Sequence, residues 1–186
     1  MGILKKIKDF VISTQIITID DLETKNFKKE EWFKTNTGLD NTPKLGILTC
    51  LIYTSKKINL CNDALLKKYK AKIKLNSAYR TPAVNKKVKG SPSSKHMQGL
   101  ASDIDIIDEN QKEMAPKDGA KLLMDILSEN KISFDKILIE RNCIHIQFNL
   151  DEKKDDKSFE FAELINGEWV TTNVELINNK WVIKNA

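Results

Sequence analysis

Ala101-Ser102-Asp103-Ile104-Asp105-Ile106-Ile107 and Cys143-Ile144-His145-Ile146-Gln147-Phe148-Asn149 alternate polar with apolar side chains. Successive residues of a strand point to opposite faces. In the first stretch Asp103 and Asp105 therefore share one face, and Ile104 and Ile106 the other. In the second, Cys143, His145, Gln147 and Asn149 oppose Ile144, Ile146 and Phe148. Both stretches read as strands with one buried side and one polar side.

Working outward, Lys136 to Glu140 is a third strand, close enough to Cys143–Asn149 to form a hairpin. A connection of two or four residues puts Glu140 and His145 on one face, whereas a three-residue loop with a bulge separates them. Ile73 and Leu75 alternate with Lys72, Lys74 and Asn76, which predicts another strand. Thr18-Ile19-Asp20-Asp21-Leu22 reads as a helix start capped by aspartate. Asp40-Asn41-Thr42-Pro43 reads as a second start with Pro at the first helical position. Leu45, Leu48, Leu51, Ile52 and Ser55 follow at helical spacing, and Asn62 to Tyr69 is a further helical stretch. Pro82 to Lys89 and Pro116 to Asn130 are predicted helices, with Gly90-Ser91-Pro92-Ser93-Ser94 a loop. Helices mixed with short sequential strands argue for an α+β fold with a small, mostly antiparallel sheet and flanking helices.

The main domain is expected over 1–150, with 1–16 a basic amphipathic extension. The charged stretch 151–157 is a linker. Beyond it, Glu163-Leu164-Ile165-Asn166-Gly167-Glu168-Trp169-Val170 matches Glu175-Leu176-Ile177-Asn178-Asn179-Lys180-Trp181-Val182. Asn-Gly and Asn-Asn between alternating apolar residues suit type I′ turns, so 158–186 reads as a repeat of two β-hairpins. This tail either packs on the main domain or serves as an appendage that binds the envelope or a protein partner.

The chain has 186 residues, a net charge of +5 and 31% charged residues. Residues 1–100 carry 20 basic and 8 acidic side chains, and 101–186 carry 11 and 18. A basic half attracts polyanions, including an anionic cell wall. The lysines are scattered without interleaved aromatics, which argues against nucleic acid. Three cysteines, Cys50, Cys61 and Cys143, form no CxxC pair, excluding a four-cysteine zinc site. No apolar run approaches the ~20 residues of a membrane span. Phe10 to Ile12 is too short for the core of a signal peptide.

His96 and His145 are the only histidines. Together with Asp103 they suit zinc, and three protein ligands leave a fourth position for water, as catalytic sites do. Asp103 and Asp105 also fit a solvated strand face, and a histidine near a strand is more often an ordinary surface or core residue. Glu140 is the first candidate for general base, and Asp105 the second. Arg80 can hold a substrate carboxylate, stabilise a developing oxyanion, or pair with a structural carboxylate.

Ser77-x-Tyr79-Arg80-x-Pro82-x-x-Asn85, then Gly90-Ser91-x-x-Ser94-x-His96-x-x-Gly99-x-Ala101-x-Asp103, then a strand ending in Glu140 and a strand holding His145, resemble the zinc D-Ala-D-Ala carboxypeptidase family. That family includes phage endolysins and cell-wall peptidases, and is related to vancomycin-resistance D,D-dipeptidases and the Hedgehog signalling domain. The similarity runs from Ile17 to Leu150. The resemblance implies His96, Asp103 and His145 as ligands to one zinc ion. It implies Arg80 as the arginine that binds substrate and supports the transition state, and Ser94 as a serine that holds the peptide, with Tyr79 beside Arg80 at the substrate. Relatives often place an acid three residues before the last histidine. Here Asn142 stands there, and Glu140 matches the glutamate of the phage-type branch. The implied activity is hydrolysis of the peptidoglycan stem peptide, as a D,D-carboxypeptidase or an L-Ala-D-Glu endopeptidase. The implied setting is a phage or prophage enzyme, released from the host cytoplasm to the wall at lysis or carried on the virion. The alternative is a non-catalytic wall-binding or virion module that keeps the metal.

Overall fold

The computed structural model describes residues 17–140, 142–154, 158–165, 168–177 and 180–183. The sequence-predicted extension over 1–16 and the turn residues Asn166-Gly167 and Asn178-Asn179 lie outside them. Seven described strands form one sheet: β1 (Lys72–Ser77), β2 (Ala101–Ile107), β3 (Lys136–Ile139), β4 (Ile144–Gln147), β5 (Ser158–Ile165), β6 (Glu168–Ile177) and β7 (Lys180–Ile183). Their spatial order is β1-β2-β4-β3-β5-β6-β7. Every pairing is antiparallel except β3 with β5. The fold is α+β, as the alternation predicts.

Among the described residues three α-helices accompany the sheet: α1 (Leu45–Tyr69), α2 (Pro82–Lys87) and α3 (Pro116–Glu129). α1 replaces the two helical stretches expected from the spacing. No Gly or Pro separates them, and Ile58, Cys61 and Leu65 continue the buried stripe begun by Leu48 and Leu51. α1 begins at Leu45, beyond Pro43. The reason lies in the two residues before Thr42. Asp40 Oδ1 accepts from the Thr42 N–H at 2.9 Å and from its hydroxyl at 2.8 Å, which makes a local turn. Asn41 is buried and donates to the carbonyls of Phe33 and Tyr79 while accepting from the Thr81 N–H. That brace ties the chain to the 79–81 segment, so the helix starts only after it. The Thr18 start makes a single 3₁₀ turn, Ile19–Leu22. Thr18 Oγ1 caps Asp20 N, and Asp21 returns a bond to Thr18 N at 2.7 Å.

Ile73, Leu75, Ile104, Ile106, Ile137, Ile139, Ile144 and Ile146 are all buried and share the sheet face toward α1 and α3. Burying them against the helices removes a large apolar area from water, which favours folding. The tail strands continue this face: Phe159 and Val174 join the core, and the Phe159 ring meets Phe134 edge-on at 5.2 Å. Lys57 donates to Glu152 at 2.6 Å, tying the start of the charged stretch to α1. All three cysteines are free thiols. No helix among the described residues is long and apolar enough to cross a membrane.

Candidate metal centre

The opposite face of the sheet carries the polar side chains. β2 and β4 are neighbours, and Asp103 stands directly across from His145. Their side chains meet because directly opposed residues of an antiparallel pair share a face. His145 Nδ1 lies 2.9 Å from Asp103 Oδ1.

His96 reaches the same point from the turn before β2. Ser94 N-caps a 3₁₀ turn, Lys95–Gln98, with its Oγ accepting from the His96 N–H at 3.3 Å. Gly99 ends that turn at φ +69°, where a side chain would be strained. Upstream, the Asn85 side chain donates to the Ser91 carbonyl and packs into the space a Cβ on Gly90 would fill, only 2.2 Å from Asn85 Oδ1. The motif's Asn85, Gly90 and Gly99 thus shape the loop that delivers His96. The His96 Nε2 lies 3.1 Å from Asp103 Oδ1 and 3.2 Å from His145 Nδ1.

These three atoms form a near-equilateral triangle. Donors around a tetrahedral ion with bonds of about 2.0–2.2 Å stand about 3.3–3.5 Å apart, so the set is within a few tenths of an ångström of what zinc needs. The second nitrogen of each histidine supports the same conclusion. His96 Nδ1 faces the Ala78 carbonyl at 2.5 Å. A carbonyl only accepts, so Nδ1 carries the proton and Nε2 keeps its lone pair. For His145 the logic runs through two residues. Gln147 Nε2 donates to the Asp135 carboxylate at 2.8 Å, which turns its amide oxygen toward His145 Nε2 at 3.3 Å. His145 Nε2 must then donate, leaving Nδ1 as the lone-pair atom. Both inward nitrogens are therefore in the tautomer that binds metal.

The electrostatics of the protein alone are consistent with this. Burial pushes the Asp103 carboxyl up, but the two imidazoles outweigh it and hold the carboxyl well below its usual range. Burial lowers His96; burial also pulls His145 down, but there the bond to Asp103 and its charge, together with Gln147 and Glu140, outweigh it and raise the imidazole.

Glu140 falls on the metal face. Its N–H donates to the Cys143 carbonyl at 3.0 Å, so the two residues close the hairpin as a pair. Glu140 and His145 then lie on one side, as a two- or four-residue connection predicts. Glu140 Oε2 accepts from the Cys143 thiol at 3.5 Å. Burial, and next the charge of Asp103, raise the Glu140 carboxyl above its ordinary value. Asp105 is buried on the same face and ion-paired with Lys74 at 2.9 Å.

Arg80 donates through Nη2 to Asp103 Oδ2 and through Nε to Ser77 Oγ at 3.0 Å. Ser77 reaches it because the β1–β2 register shifts between Leu75 and Ser77, a bulge that realigns the strand end. Tyr79 is placed elsewhere: its ring is 4% exposed and belongs to the core. The sequence argument missed Gln147 and Asp135. Gln147 was legible as the next residue along His145's own face, but its partner Asp135 was not.

Fold and donor set together define an α+β domain with a candidate His-Asp-His metal site on one side of a mostly antiparallel sheet. A family model described as peptidase M15 matches residues 22–146, a span that includes every ligand candidate. The chain belongs to the peptidase M15 family and is a metallopeptidase by that membership, of a kind that typically depends on zinc. No curated protein matches the chain.

Proposed function

We propose that this protein hydrolyses an amide bond in the stem peptide of peptidoglycan, using one zinc ion held by His96, Asp103 and His145. The observation that carries the proposal is the convergence of these three donors within 4.8 Å on the face that also bears Glu140. Zinc at such a site supplies a Lewis acid that polarises a carbonyl and acidifies water. Glu140 takes the proton from the attacking water as the C–O bond forms. It returns that proton to the amide nitrogen as the C–N bond breaks. Asp105 is less suited to this exchange, since Lys74 neutralises it. Arg80 uses two of its five N–H donors on Asp103 and Ser77, and offers the others to the substrate oxygen as negative charge develops. Ser94 positions His96 and stands beside the peptide path. A phage or prophage wall-lytic enzyme is the setting we favour, with the strands of 158–183 as an extension of the peptidase sheet.

The test is to incubate zinc-loaded protein with purified peptidoglycan and quantify new amino groups. Wild type should release them. Glu140→Gln should lose about 10²–10⁴-fold in rate with its zinc content unchanged. A wild type that binds zinc and releases nothing would instead establish the non-catalytic wall-binding reading, to which Asn142 in the acid position of relatives points.

A further inference from the structure

A cleft of about 430 Å³ opens beside the metal triad, lined by Lys34, Thr35, Asn36, Asn76, Ser77, Arg80, Val84 and Val88. Its size falls within the range of small-molecule sites, which begins at about 300 Å³. Ser77 and Arg80 belong to both places: Arg80 bonds Asp103, and Ser77 pairs with Asp103 across β1 and β2. A peptide whose scissile carbonyl sits at the triad therefore has this cleft as the neighbouring volume.

The lining has a definite chemistry. Two of its residues are cations and none is an acid. The Arg80 charge is already balanced by Asp103. The Lys34 ammonium is exposed, and among the described residues it has neither a hydrogen-bond nor an ion-pair partner. Asn76 is the bulged residue of β1, and its side-chain amide is likewise without a protein partner among the described residues. Val84 and Val88 form a small apolar wall on α2 and the residue that caps it. An ammonium and an amide over a short apolar wall suit a residue that carries a carboxylate and a small side chain.

We propose that this cleft is a substrate subsite for a carboxylate close to the bond being cut, and that Lys34 determines the specificity for it. The proposal rests on the peptidase reading for its direction and goes beyond it in naming the recognised group. A C-terminal carboxylate and the carboxylate of an internal glutamate share this chemistry.

The experiment measures kcat and KM of the zinc-loaded full chain on three synthetic stem peptides. One is unmodified, one is amidated only at its C-terminus, and one carries Gln in place of Glu. Lys34→Ala should raise KM for the unmodified peptide about tenfold, which is 1.4 kcal/mol, and leave kcat within about twofold. It should have no further effect on the one modified peptide that lacks the recognised carboxylate, and that arm identifies the source. Lys34→Arg should restore most of the KM, and the KM of wild type and of Lys34→Arg, but not that of Lys34→Ala, should rise with salt. An unchanged KM in Lys34→Ala, or an equal loss on all three peptides, overturns the proposal. Should wild type cut none of the peptides, the peptidase reading fails and calorimetry with the same peptides decides this one. A carboxylate preference that Lys34→Ala removes supports it. Equal affinities, or no binding, overturn it.

Discussion

The two faces of the β2–β4 pair are made from the same two short stretches of chain and do opposite work. On one face Ile104, Ile106, Ile144 and Ile146 are each no more than 1% exposed and pack with the helices. On the other, Asp105 and His145 are buried and Asp103 is half-buried, yet all three are polar, and every one of them has a charged or hydrogen-bonding partner. The difference teaches that burial alone does not distinguish core from site here. Partnering does, because a buried polar group without a partner is costly and the metal face is built to avoid that cost.

Adjacent residues separate the two roles most sharply. His145→Ala should abolish stoichiometric zinc binding and activity while the unfolding midpoint moves little, read by metal analysis and thermal melts. Ile144→Ala, one residue away, should cost about 2–5 kcal/mol of stability, and the protein that remains folded should still bind one zinc. If both variants lose zinc in proportion to stability, the division between faces fails. Gln147→Leu tests the support beneath the metal face: zinc affinity should fall about 10–100-fold in a competition titration, with secondary structure unchanged. An unchanged affinity would mean that the Asp135–Gln147 chain does not set the His145 tautomer. Gly119→Ala tests the apolar face, since the new Cβ would come within 2.9 Å of Ile106 and 3.3 Å of Ile144. Denaturant melts should show a loss of about 1–3 kcal/mol, and a gain would show that this face has room to spare.

The smallest expected effect lies away from both faces. The hydrogen bond from Lys68, then that from Tyr69, hold the Asp125 carboxyl below its usual value. A carboxyl lowered on folding adds stability above its unfolded pKa of about 3.9, and that stability is lost as pH falls through the folded value. Asp125→Asn should therefore lower stability slightly at pH 7, where the charged carboxyl contributes, and make no difference once the pH lies below the folded value, so that the acid limb of the stability curve flattens.

The period-two alternation made β2, β3 and β4 legible, with the facing of Asp103 and His145, because a single half-buried sheet dictates it; the side taken by Glu140 turned on the length of the connection, which alternation does not encode. The opposition of Asp103 to His145 was not legible, since register between strands that far apart in sequence depends on the whole sheet. The same holds for β5 lying parallel to β3, a non-local pairing that no local pattern encodes. Pro43 misled for a physical reason: its preference for a first helical turn yielded to the tertiary brace at Asn41. Tyr79 and Arg80 are adjacent in the motif, yet one ring fills the core and the other side chain meets the ligand carboxylate.

The parallel β3–β5 pairing also sets an order of events in time. β4, β2 and β1 are complete once the chain has been made as far as Gln147. The outer edge of β3, the strand that leads into Glu140, waits for Ser158–Ile165. A nascent or truncated chain therefore presents a bare strand edge next to its most reactive residues. Such an edge is a template for a strand from another copy, so β5, made after the four strands around the site, doubles as a guard against self-association.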